Sequence, residues 1–203
     1  MAYQFDYPDW VRAHRSIWSA LITTHVLDTD DPIVAIEIGS FEGRSTIFFA
    51  DCLLQHQQSR LYCVDTWLGG EEIERVKLNY NMATVEANFD HNISQHRSAL
   101  QIIKQKGSSQ QWLSHHLAAY SGRVDFVYVD GSHTQRDTII DVTLSLLLVR
   151  SGGVVIIDDY NNNMATADQM LRPKRAVDFL AATFEKEFMF YVSPSGQAVF
   201  VKR

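Results

Sequence analysis

The sequence predicts an α/β protein with a doubly wound, mostly parallel sheet of seven strands, helices on both faces and a C-terminal antiparallel hairpin. Two observations predict this fold. Short β-forming segments alternate five times with helical segments, the pattern of consecutive βαβ units. Two further β-forming segments, 188–192 and 197–202, are then separated by a Ser-Pro-Ser-Gly turn, as the strands of a hairpin are. Together these segments describe a Rossmann-like sheet.

The elements follow one another in a regular order along the chain. Asp9 is placed to cap the first helix, and Pro32 ends the break that follows it. Helices are predicted at 10–26, 44–56, 109–117, 138–148 and 175–186, and strands before the hairpin at 33–38, 61–65, 100–107, 124–130 and 154–159. Gly152-Gly153 is predicted to end the helix that precedes the fifth strand. Residues 66–100 carry only weak helical patterns, at 71–77 and 83–89.

Composition and charge fit one soluble globular domain. The chain has 203 residues, of which 46% are hydrophobic and 21% charged, enough for a full core. A net charge of -6 with scattered basic residues argues against nucleic-acid binding. No signal-peptide pattern or membrane-spanning apolar run is present, so we expect a cytoplasmic protein without membrane association. Cys52 and Cys63 are expected to be free, buried thiols.

The first predicted strand runs into a glycine-containing turn and then a helix, with the spacing Glu37-x-Gly39-x-x-x-Gly43. Such a turn presents backbone N–H groups and the positive end of a helix to a ligand. It differs from the Gly-x-Gly-x-x-Gly turn that suits a pyrophosphate, and Glu42 is expected to repel a diphosphate. Glu37 instead favours a ligand with an amino or other cationic group.

Asp65 ends the second predicted strand, 22 residues after Gly43. A carboxylate at this position can accept hydrogen bonds from both hydroxyls of an adenosine ribose. The alternative is an ordinary solvated acid at a strand end. Turn and acid together are stronger evidence than either alone, and they predict a nucleoside-bearing ligand at this edge of the sheet.

Acidic residues end four of the five predicted parallel strands. Because the carboxyl ends of parallel strands meet at one edge, Asp130, Asp158 and Asp159 are expected to converge. Like charges about 4 Å apart repel by several kcal/mol per pair even at an effective dielectric of about 20. Either one acid is protonated or a cation lies among them, and an all-oxygen set suits Mg²⁺. The alternative is that Asp158 or Asp159 is a helix cap or a loop acid.

In combination these motifs resemble the class I S-adenosylmethionine (SAM)-dependent methyltransferases, whose first motif is an acid-x-Gly-x-x-x-Gly turn. Within that class the chain is similar to the metal-dependent macrocin- or mycinamicin-type sugar O-methyltransferases and the cephalosporin-hydroxylase-like proteins. The likeness covers residues 33–180. It is carried by Gly-Ser-Phe-Glu-Gly-Arg-Ser-Thr at 39–46, Val-Asp-Thr-Trp at 64–67, Asp-Gly-Ser-His at 130–133, Gly-Gly-Val-Val-Ile-Ile-Asp-Asp at 152–159 and Arg-Ala-Val-Asp at 175–178.

The resemblance implies a SAM-dependent O-methyltransferase domain over residues 33–203, after a helical lead-in over residues 1–32. It implies a SAM site made of Glu37, Gly39, Ser40, Phe41, Gly43, Ser45, Asp65, Thr66, Trp67, Gly107, Ser108 and Asp130, with Gly107 and Ser108 bordering the adenine. It also implies Mg²⁺ or another divalent cation on Asp130, Asp158 and Asp159. His133 would be the catalytic base beside a catalytic Asp130. That subfamily often has Glu-Asp where this chain has Asp158-Asp159.

The implied reaction is methyl transfer from SAM to a hydroxyl of a sugar or another small polyhydroxylated acceptor. In this reaction the cation would lower the pKa of the acceptor hydroxyl, and His133 would remove its proton near neutral pH. Alignment of the reactants would supply most of the rate acceleration. The other histidines considered, His91, His96, His115 and His116, are predicted to lie on the surface. Two alternatives stay open: an NAD(P)-dependent oxidoreductase on a similar sheet, and a non-catalytic SAM-binding protein.

Loops that leave the same sheet edge supply candidates for an acceptor pocket or lid. These candidates are Trp67, Tyr80, Phe89, Tyr160, Asn161 and Met164. Ordinary packing explains each of them equally well. The aromatic N-terminal stretch and the first helix are a candidate interface for a homo-oligomer, and the sequence does not identify the acceptor.

Overall fold

The computed structural model describes residues 2–27, 31–70, 80–161 and 173–203. Within them, seven strands form one sheet: Val34–Ile38 (β1), Arg60–Asp65 (β2), Ile102–Lys106 (β3), Val124–Val129 (β4), Val149–Ile157 (β5), Phe188–Val192 (β6) and Ala198–Lys202 (β7). Their order across the sheet is β3-β2-β1-β4-β5-β7-β6. Strands β1 to β5 are parallel, and β7 lies antiparallel between β5 and β6. The predicted Rossmann-like fold with its closing hairpin is confirmed.

The described helices lie on both faces of this sheet. They are Arg15–His25 (α1), Arg44–Leu53 (α2), Met82–Gln95 (α3), Ser109–Tyr120 (α4), Gln135–Leu148 (α5) and Lys174–Thr183 (α6). Side-chain caps set two of their starts. Asn81 accepts the backbone N–H of Thr84 at 3.3 Å to begin α3, and Thr134 accepts that of Asp137 at 3.1 Å to begin α5. None of the described helices combines the length and apolar character needed to cross a membrane.

The core has one half on each face of the sheet. On one face, the ring of Trp18 in α1 lies 4.8 Å from that of Phe49 in α2 and 5.1 Å from that of Tyr128 in β4. On the other, Val142 and Leu146 of α5 are buried against the sheet. Burying each large apolar side chain contributes about 1.5–3 kcal/mol. The central strand β1 is therefore held from both sides, which fixes the residues that follow it.

Several local predictions differ from the structure. Gly152 and Gly153 lie inside β5, where a Cβ on Gly153 would come 2.6 Å from Val149 Cγ2, so close packing rather than a helix end requires glycine there. His96, predicted to lie on the surface, is buried, and its Nδ1 accepts the backbone N–H of Ser98 at 3.0 Å. Helix α3 is longer than its weak pattern indicated. The predicted helix at 71–77 and the candidate Met164 lie outside the described residues.

The two cysteines are free, as predicted. Cys63 on β2 is buried and Cys52 on α2 is partly buried. Burial raises the pKa of both thiols, which keeps them in the protonated, weakly reactive form.

Candidate active site

The turn after β1, residues 39–43, which we call the donor turn, is packed directly on the loop after β4. Gly39 and Gly43 both have φ of 82°, a left-handed conformation that favours glycine. A Cβ on Gly39 would lie 1.9 Å from the backbone oxygen of Asp130. Asp130 in turn donates its backbone N–H to Ile38 at 2.8 Å. The donor turn and the loop after β4 are therefore in direct backbone contact, and we call this contact the joint.

Asp65, at the end of β2, holds the donor turn in shape. Its Oδ2 accepts the backbone N–H groups of Ser40 at 2.9 Å and Phe41 at 3.0 Å, and its Oδ1 accepts that of Trp67 at 2.7 Å. Phe41 has φ of 48°, which strains a non-glycine residue, and these bonds offset the strain. Burial raises the pKa of Asp65 although the three N–H donors act to lower it. The role of Asp65 in binding a ribose stays a prediction.

Glu37 lies beneath the donor turn, closed off from solvent. It is fully buried, and its Oε2 accepts a hydrogen bond from the hydroxyl of Thr46 in α2. No described residue meets the geometry of a hydrogen bond with Glu37 Oε1 or with Ser40 Oγ. Burial raises the pKa of Glu37. Ser45, in the first turn of α2, is also buried. A cofactor contact by Glu37 or Ser45 stays a prediction.

Glu42 binds the N-terminal segment, residues 2–7. Its carboxylate accepts the backbone N–H groups of Asp6 at 2.9 Å and Tyr7 at 3.2 Å, and the side-chain amide of Asn88 at 2.8 Å. Glu42 is only 2% exposed. These three donors hold the buried carboxylate in place, and the expected repulsion of a diphosphate by Glu42 stays a prediction.

The N-terminal segment crosses α3 next to the donor turn. Asn92 accepts the backbone N–H of Gln4 at 2.7 Å and donates to its backbone oxygen at 2.8 Å. The ring of Tyr7 lies 5.2 Å from that of Phe41 and 4.8 Å from that of Tyr80. Tyr80 is thus partly buried against the donor turn. The segment proposed as an oligomer interface is packed within its own chain, while the nearby Trp10 is 54% exposed.

Trp67 covers the donor turn from the side of β2. Its indole N–H donates to the backbone oxygen of Phe41 at 2.9 Å, and its ring lies 4.8 Å from that of Phe89. Trp67 and Phe89 are both buried, which agrees with the alternative of ordinary packing for these two candidates. Thr66 accepts the backbone N–H of Leu68 at 3.2 Å, which shapes the following turn.

Gly107 and Ser108 open onto a cleft between β3 and the start of α4. The cleft is lined by Val64, Gln105, Lys106, Gly107, Ser108, Gln111, Trp112, His115 and His116. The ring of Trp112 stacks on that of His116 at 4.2 Å. A cleft therefore lies where the sequence predicts the border of an adenine.

Asp130, His133 and Asp159 come together at the carboxyl edge, and we call them the acid cluster. Each offers one possible ligand atom, and these atoms all lie within 4.8 Å of one another. His133 Nε2 contacts Asp159 Oδ2, and the two side chains are 21% and 27% exposed. The cluster borders a small cavity lined by Val129, Asp130, Gly131, Ser132, His133, Thr138, Ile157, Asp158 and Pro173.

Asp158, the third predicted ligand, lines the same small cavity, but both of its carboxylate oxygens accept hydrogen bonds from protein donors. Its Oδ2 accepts the hydroxyl of Tyr128 at 2.5 Å, and its Oδ1 accepts the side-chain amide of Gln197 at 2.9 Å. Oδ1 also accepts the backbone N–H of Asp159 at 2.8 Å. The structure thus brings two of the three predicted acidic ligands together with His133, and directs the remaining one to protein donors.

The family model described as a methyltransferase domain matches residues 36–160. The chain belongs to this family. The matched region runs from β1 past the end of β5 and so contains the donor turn and the acid cluster. The prediction of a methyltransferase domain is confirmed.

One curated relative matches part of the chain. An uncharacterized protein of Acanthamoeba polyphaga mimivirus is 28% identical over 133 residues, which are 65% of this chain and 53% of that protein. The chain therefore spans about half the length of the curated relative it matches.

Three solved structures illustrate the fold neighbours of the methyltransferase. The O-methyltransferase TomG of tomaymycin synthesis from Streptomyces achromogenes, solved with SAM, is 16% identical, with 94% of this chain and 80% of that chain covered and a TM-score of 0.63. A TDP-rhamnose 3′-O-methyltransferase of calicheamicin biosynthesis is 14% identical (95% and 81% covered, TM-score 0.64). A proposed rRNA methylase from Clostridium thermocellum is 13% identical (98% and 98% covered, TM-score 0.65). Likeness at these identities shows the fold alone.

The acid cluster of the methyltransferase has the chemistry of a divalent-cation site. Burial raises the pKa of Asp130 well above its usual range, and the charges of Asp158 and Asp159 raise it further. A carboxyl in this position holds either a proton or a cation. The donors present, two carboxylates and an imidazole, are ligands that divalent metals accept. The residues therefore fit such an ion.

Sequence reasoning missed the two side-chain partners of Asp158, Tyr128 and Gln197, and the partner of Gln197, Trp18. Tyr128 precedes Asp130 by two positions on β4 and therefore lies on the same face of the strand, so this neighbour could have been found. Gln197 is a polar residue at the start of an apolar hairpin, which is a weaker signal. Trp18 on α1 donates to Gln197, and nothing in the sequence pattern indicates that pairing.

Proposed function

We propose that this methyltransferase transfers a methyl group from SAM to a hydroxyl of a sugar or another small polyhydroxylated acceptor, with Mg²⁺ or another divalent cation at the acid cluster. The observation that carries the proposal is the joint between the donor turn and the acid cluster, where a Cβ on Gly39 would lie 1.9 Å from the backbone oxygen of Asp130. Reactants bound on these two loops would meet at one edge of the sheet, as an in-line displacement requires.

The donor side of the proposal rests on the shape of the turn. Gly39 to Gly43 would border the methionine part of SAM at the positive end of α2. Asp65 and Thr66 would lie at the ribose and Gly107 and Ser108 at the adenine. The fold neighbour TomG, solved with SAM, supports this choice of donor. We extend the proposal to domain organisation, with residues 33–203 as the methyltransferase domain and residues 1–32 as its lead-in.

The cation side rests on the charges of the acid cluster. Asp130 and Asp159 would hold the ion, because their carboxylates converge with His133 within 4.8 Å. When bound, the ion supplies positive charge that lowers the pKa of an acceptor hydroxyl. Carboxylate ligands favour Mg²⁺, and the nearby imidazole would also suit a transition metal such as Mn²⁺.

His133 is the proposed base for the acceptor hydroxyl. Its contact with Asp159 orients the ring and stabilises the imidazolium that forms when the ring takes a proton. The same ring is close enough to the two carboxylates to be a third ligand. The two roles predict different results for His133→Ala. If His133 is the base, the variant keeps its Mn²⁺ affinity and loses turnover. If His133 is a ligand, the variant loses both.

The acceptor class is proposed from chemistry and from one neighbour. A cation between carboxylates suits an acceptor with neighbouring oxygens, as in a sugar diol. The calicheamicin neighbour acts on TDP-rhamnose, which supports a sugar.

Thermal unfolding with candidate cofactors tests the donor. S-adenosylhomocysteine at 100 times its Kd should stabilise the protein by about 2.7 kcal/mol, and NADPH should have no effect. Stabilisation by NADPH but not by S-adenosylhomocysteine would reject the proposal in favour of an oxidoreductase.

Methyl transfer to a panel of sugars and polyols, with Mg²⁺ or with EDTA, tests the chemistry. We expect turnover that needs the cation and that falls in Asp130→Asn and His133→Ala. A wild type that binds S-adenosylhomocysteine but resembles both variants across the panel would indicate a non-catalytic SAM-binding protein.

A further inference from the structure

We propose that Asp158 is a positioning residue rather than a metal ligand, and that Tyr128, Gln197 and Trp18 form with it a buried hydrogen-bonded network that orients Asp159 and Asp130. This inference rests on the cation that the proposed function assigns to the acid cluster. It gives the two successive acids after β5 different roles. Asp159 would be a ligand within the acid cluster, and Asp158 would hold Asp159 in place.

Both carboxylate oxygens of Asp158 accept hydrogen bonds from protein donors. Oδ2 accepts the Tyr128 hydroxyl at 2.5 Å, and Oδ1 accepts the Gln197 amide at 2.9 Å and the Asp159 backbone N–H at 2.8 Å. A carboxylate has room for about four such bonds, and three are in place. The matching ligand atoms of Asp130, His133 and Asp159 lie within 4.8 Å of one another without it.

Asp158 and Tyr128 hold the neighbouring cluster residues Asp159 and Asp130 in position. Asp159 has φ of 53°, a left-handed conformation that is unfavourable for a non-glycine residue, and the bond from its N–H to Asp158 stabilises that conformation. Tyr128 is fully buried, and its hydroxyl oxygen lies 3.3 Å from Asp130 Oδ2 as well as 2.5 Å from Asp158. The hydroxyl therefore holds the two carboxyl groups at a fixed separation.

Trp18 fixes the orientation of the Gln197 amide in this network. The indole N–H of Trp18 donates to Gln197 Oε1 at 2.8 Å. Because an indole nitrogen can only donate, the oxygen of the Gln197 amide must face Trp18, and its NH₂ group must face Asp158. Trp18 and Gln197 are 0% and 1% exposed. The network thus ties α1 and the start of β7 to the acid cluster.

Hydrogen bonds that orient the ligands of a metal change its affinity by about 10–100-fold when they are removed. We therefore expect Tyr128→Phe and Gln197→Leu each to weaken Mn²⁺ binding, measured by electron paramagnetic resonance of free Mn²⁺, by about 10-fold or more. Affinity for S-adenosylhomocysteine should stay within about twofold, which a general loss of structure would not allow. Trp18→Phe keeps an aromatic ring but removes the donor to Gln197, and serves if Gln197→Leu does not fold.

Two variants control for the loss of a side-chain hydrogen bond elsewhere, one partly buried and one exposed. Tyr62→Phe removes a hydroxyl on β2 that lies 2.8 Å from the hydroxyl of Tyr120 on α4. Gln101→Leu removes an amide that donates to the backbone oxygen of His56 at 2.8 Å. Both should bind Mn²⁺ as the wild type does.

The comparison of the two acids decides the assignment. Asp158→Asn should bind Mn²⁺ about 10–100-fold more weakly, whereas Asp159→Asn should abolish binding. Abolition by both, or wild-type affinity in Tyr128→Phe and Gln197→Leu, would overturn the inference and leave the proposed function intact. A wild type that binds S-adenosylhomocysteine but no Mn²⁺ or Mg²⁺ would overturn the cation of the proposed function together with this inference.

Discussion

At the scale of single residues, Gly39 and Gly122 have similar left-handed backbones but different surroundings. Their φ angles are 82° and 66°, yet an added Cβ would lie 1.9 Å from the Asp130 backbone oxygen at Gly39 and would meet nothing within 4 Å at Gly122. Gly122→Ala should cost about 1 kcal/mol for the backbone alone. Gly39→Ala should cost at least about 2 kcal/mol more, because the joint between the two loops must move.

Urea unfolding followed by circular dichroism measures both values. Equal losses in the two variants would contradict the close approach of the donor turn to Asp130.

Asp65 offers a second residue-scale prediction, because it binds the donor turn without any ligand. Asp65→Asn keeps the size of the side chain but turns an NH₂ group toward backbone N–H donors. We expect the ligand-free protein to lose about 2 kcal/mol of unfolding free energy. Thr66→Ala, which removes an exposed hydroxyl next door, should change it by less than about 0.5 kcal/mol. Unchanged stability of ligand-free Asp65→Asn would mean that Asp65 serves the ribose alone.

Among the elements, α4 and α5 meet at a buried acid that no predicted role uses. Asp141 on α5 is 2% exposed and accepts the hydroxyl of Ser109, the first residue of α4, at 2.8 Å. Burial, with a smaller effect of the Asp137 charge, raises the pKa of Asp141 from 3.8 to about 7. Between these values the folded state holds a proton that the unfolded state has lost. The free energy of unfolding contributed by Asp141 therefore falls as pH rises from about 4 to about 7.

Asp141→Asn should remove this pH dependence and stabilise the protein at pH values above about 7, by at most about 4 kcal/mol. Denaturant unfolding of the wild type and of Asp141→Asn at two pH values measures the difference. The two values lie about 2 units apart, with the raised pKa of Asp141 between them. Parallel losses of stability in the two proteins would assign the pH dependence to other groups.

Sequence patterns predicted most elements because apolar periodicity is local information. The limits of helices were less accurate, since α5 begins where Thr134 caps it, before the apolar residues that revealed it. The pattern also placed Glu42, Asp65 and Asp158 at the right edge of the sheet. It did not give the direction of their carboxylates, because that depends on partners far away in the chain, such as Tyr7 for Glu42 and Gln197 for Asp158.

Across the whole molecule, the N-terminal segment connects the start of the chain to the donor turn through Glu42 and Asn92. Removing residues 2–7 would leave the buried Glu42 carboxylate without two of its donors and would expose Phe41. We expect the Kd for S-adenosylhomocysteine to rise about 10-fold, the equivalent of about 1.4 kcal/mol, while Mn²⁺ affinity changes little because the acid cluster lies on other loops.

Isothermal titration calorimetry of the shortened chain measures both affinities. Asn92→Ala should reproduce the effect in part, and Ser94→Ala, on the exposed side of α3, should not. An unchanged Kd for S-adenosylhomocysteine in the shortened chain would show that the donor turn keeps its shape without the segment.

The placement of the tryptophans gives the two halves of the site separate optical signals. The buried indole of Trp67 is bonded to the donor turn, and that of Trp18 reaches the acid cluster through Gln197. Trp10 is exposed and Trp112 lines the cleft beside Gly107. Variants that keep a single buried tryptophan would let fluorescence follow binding at each half independently, so that the order in which donor and cation bind can be observed without labelling the protein.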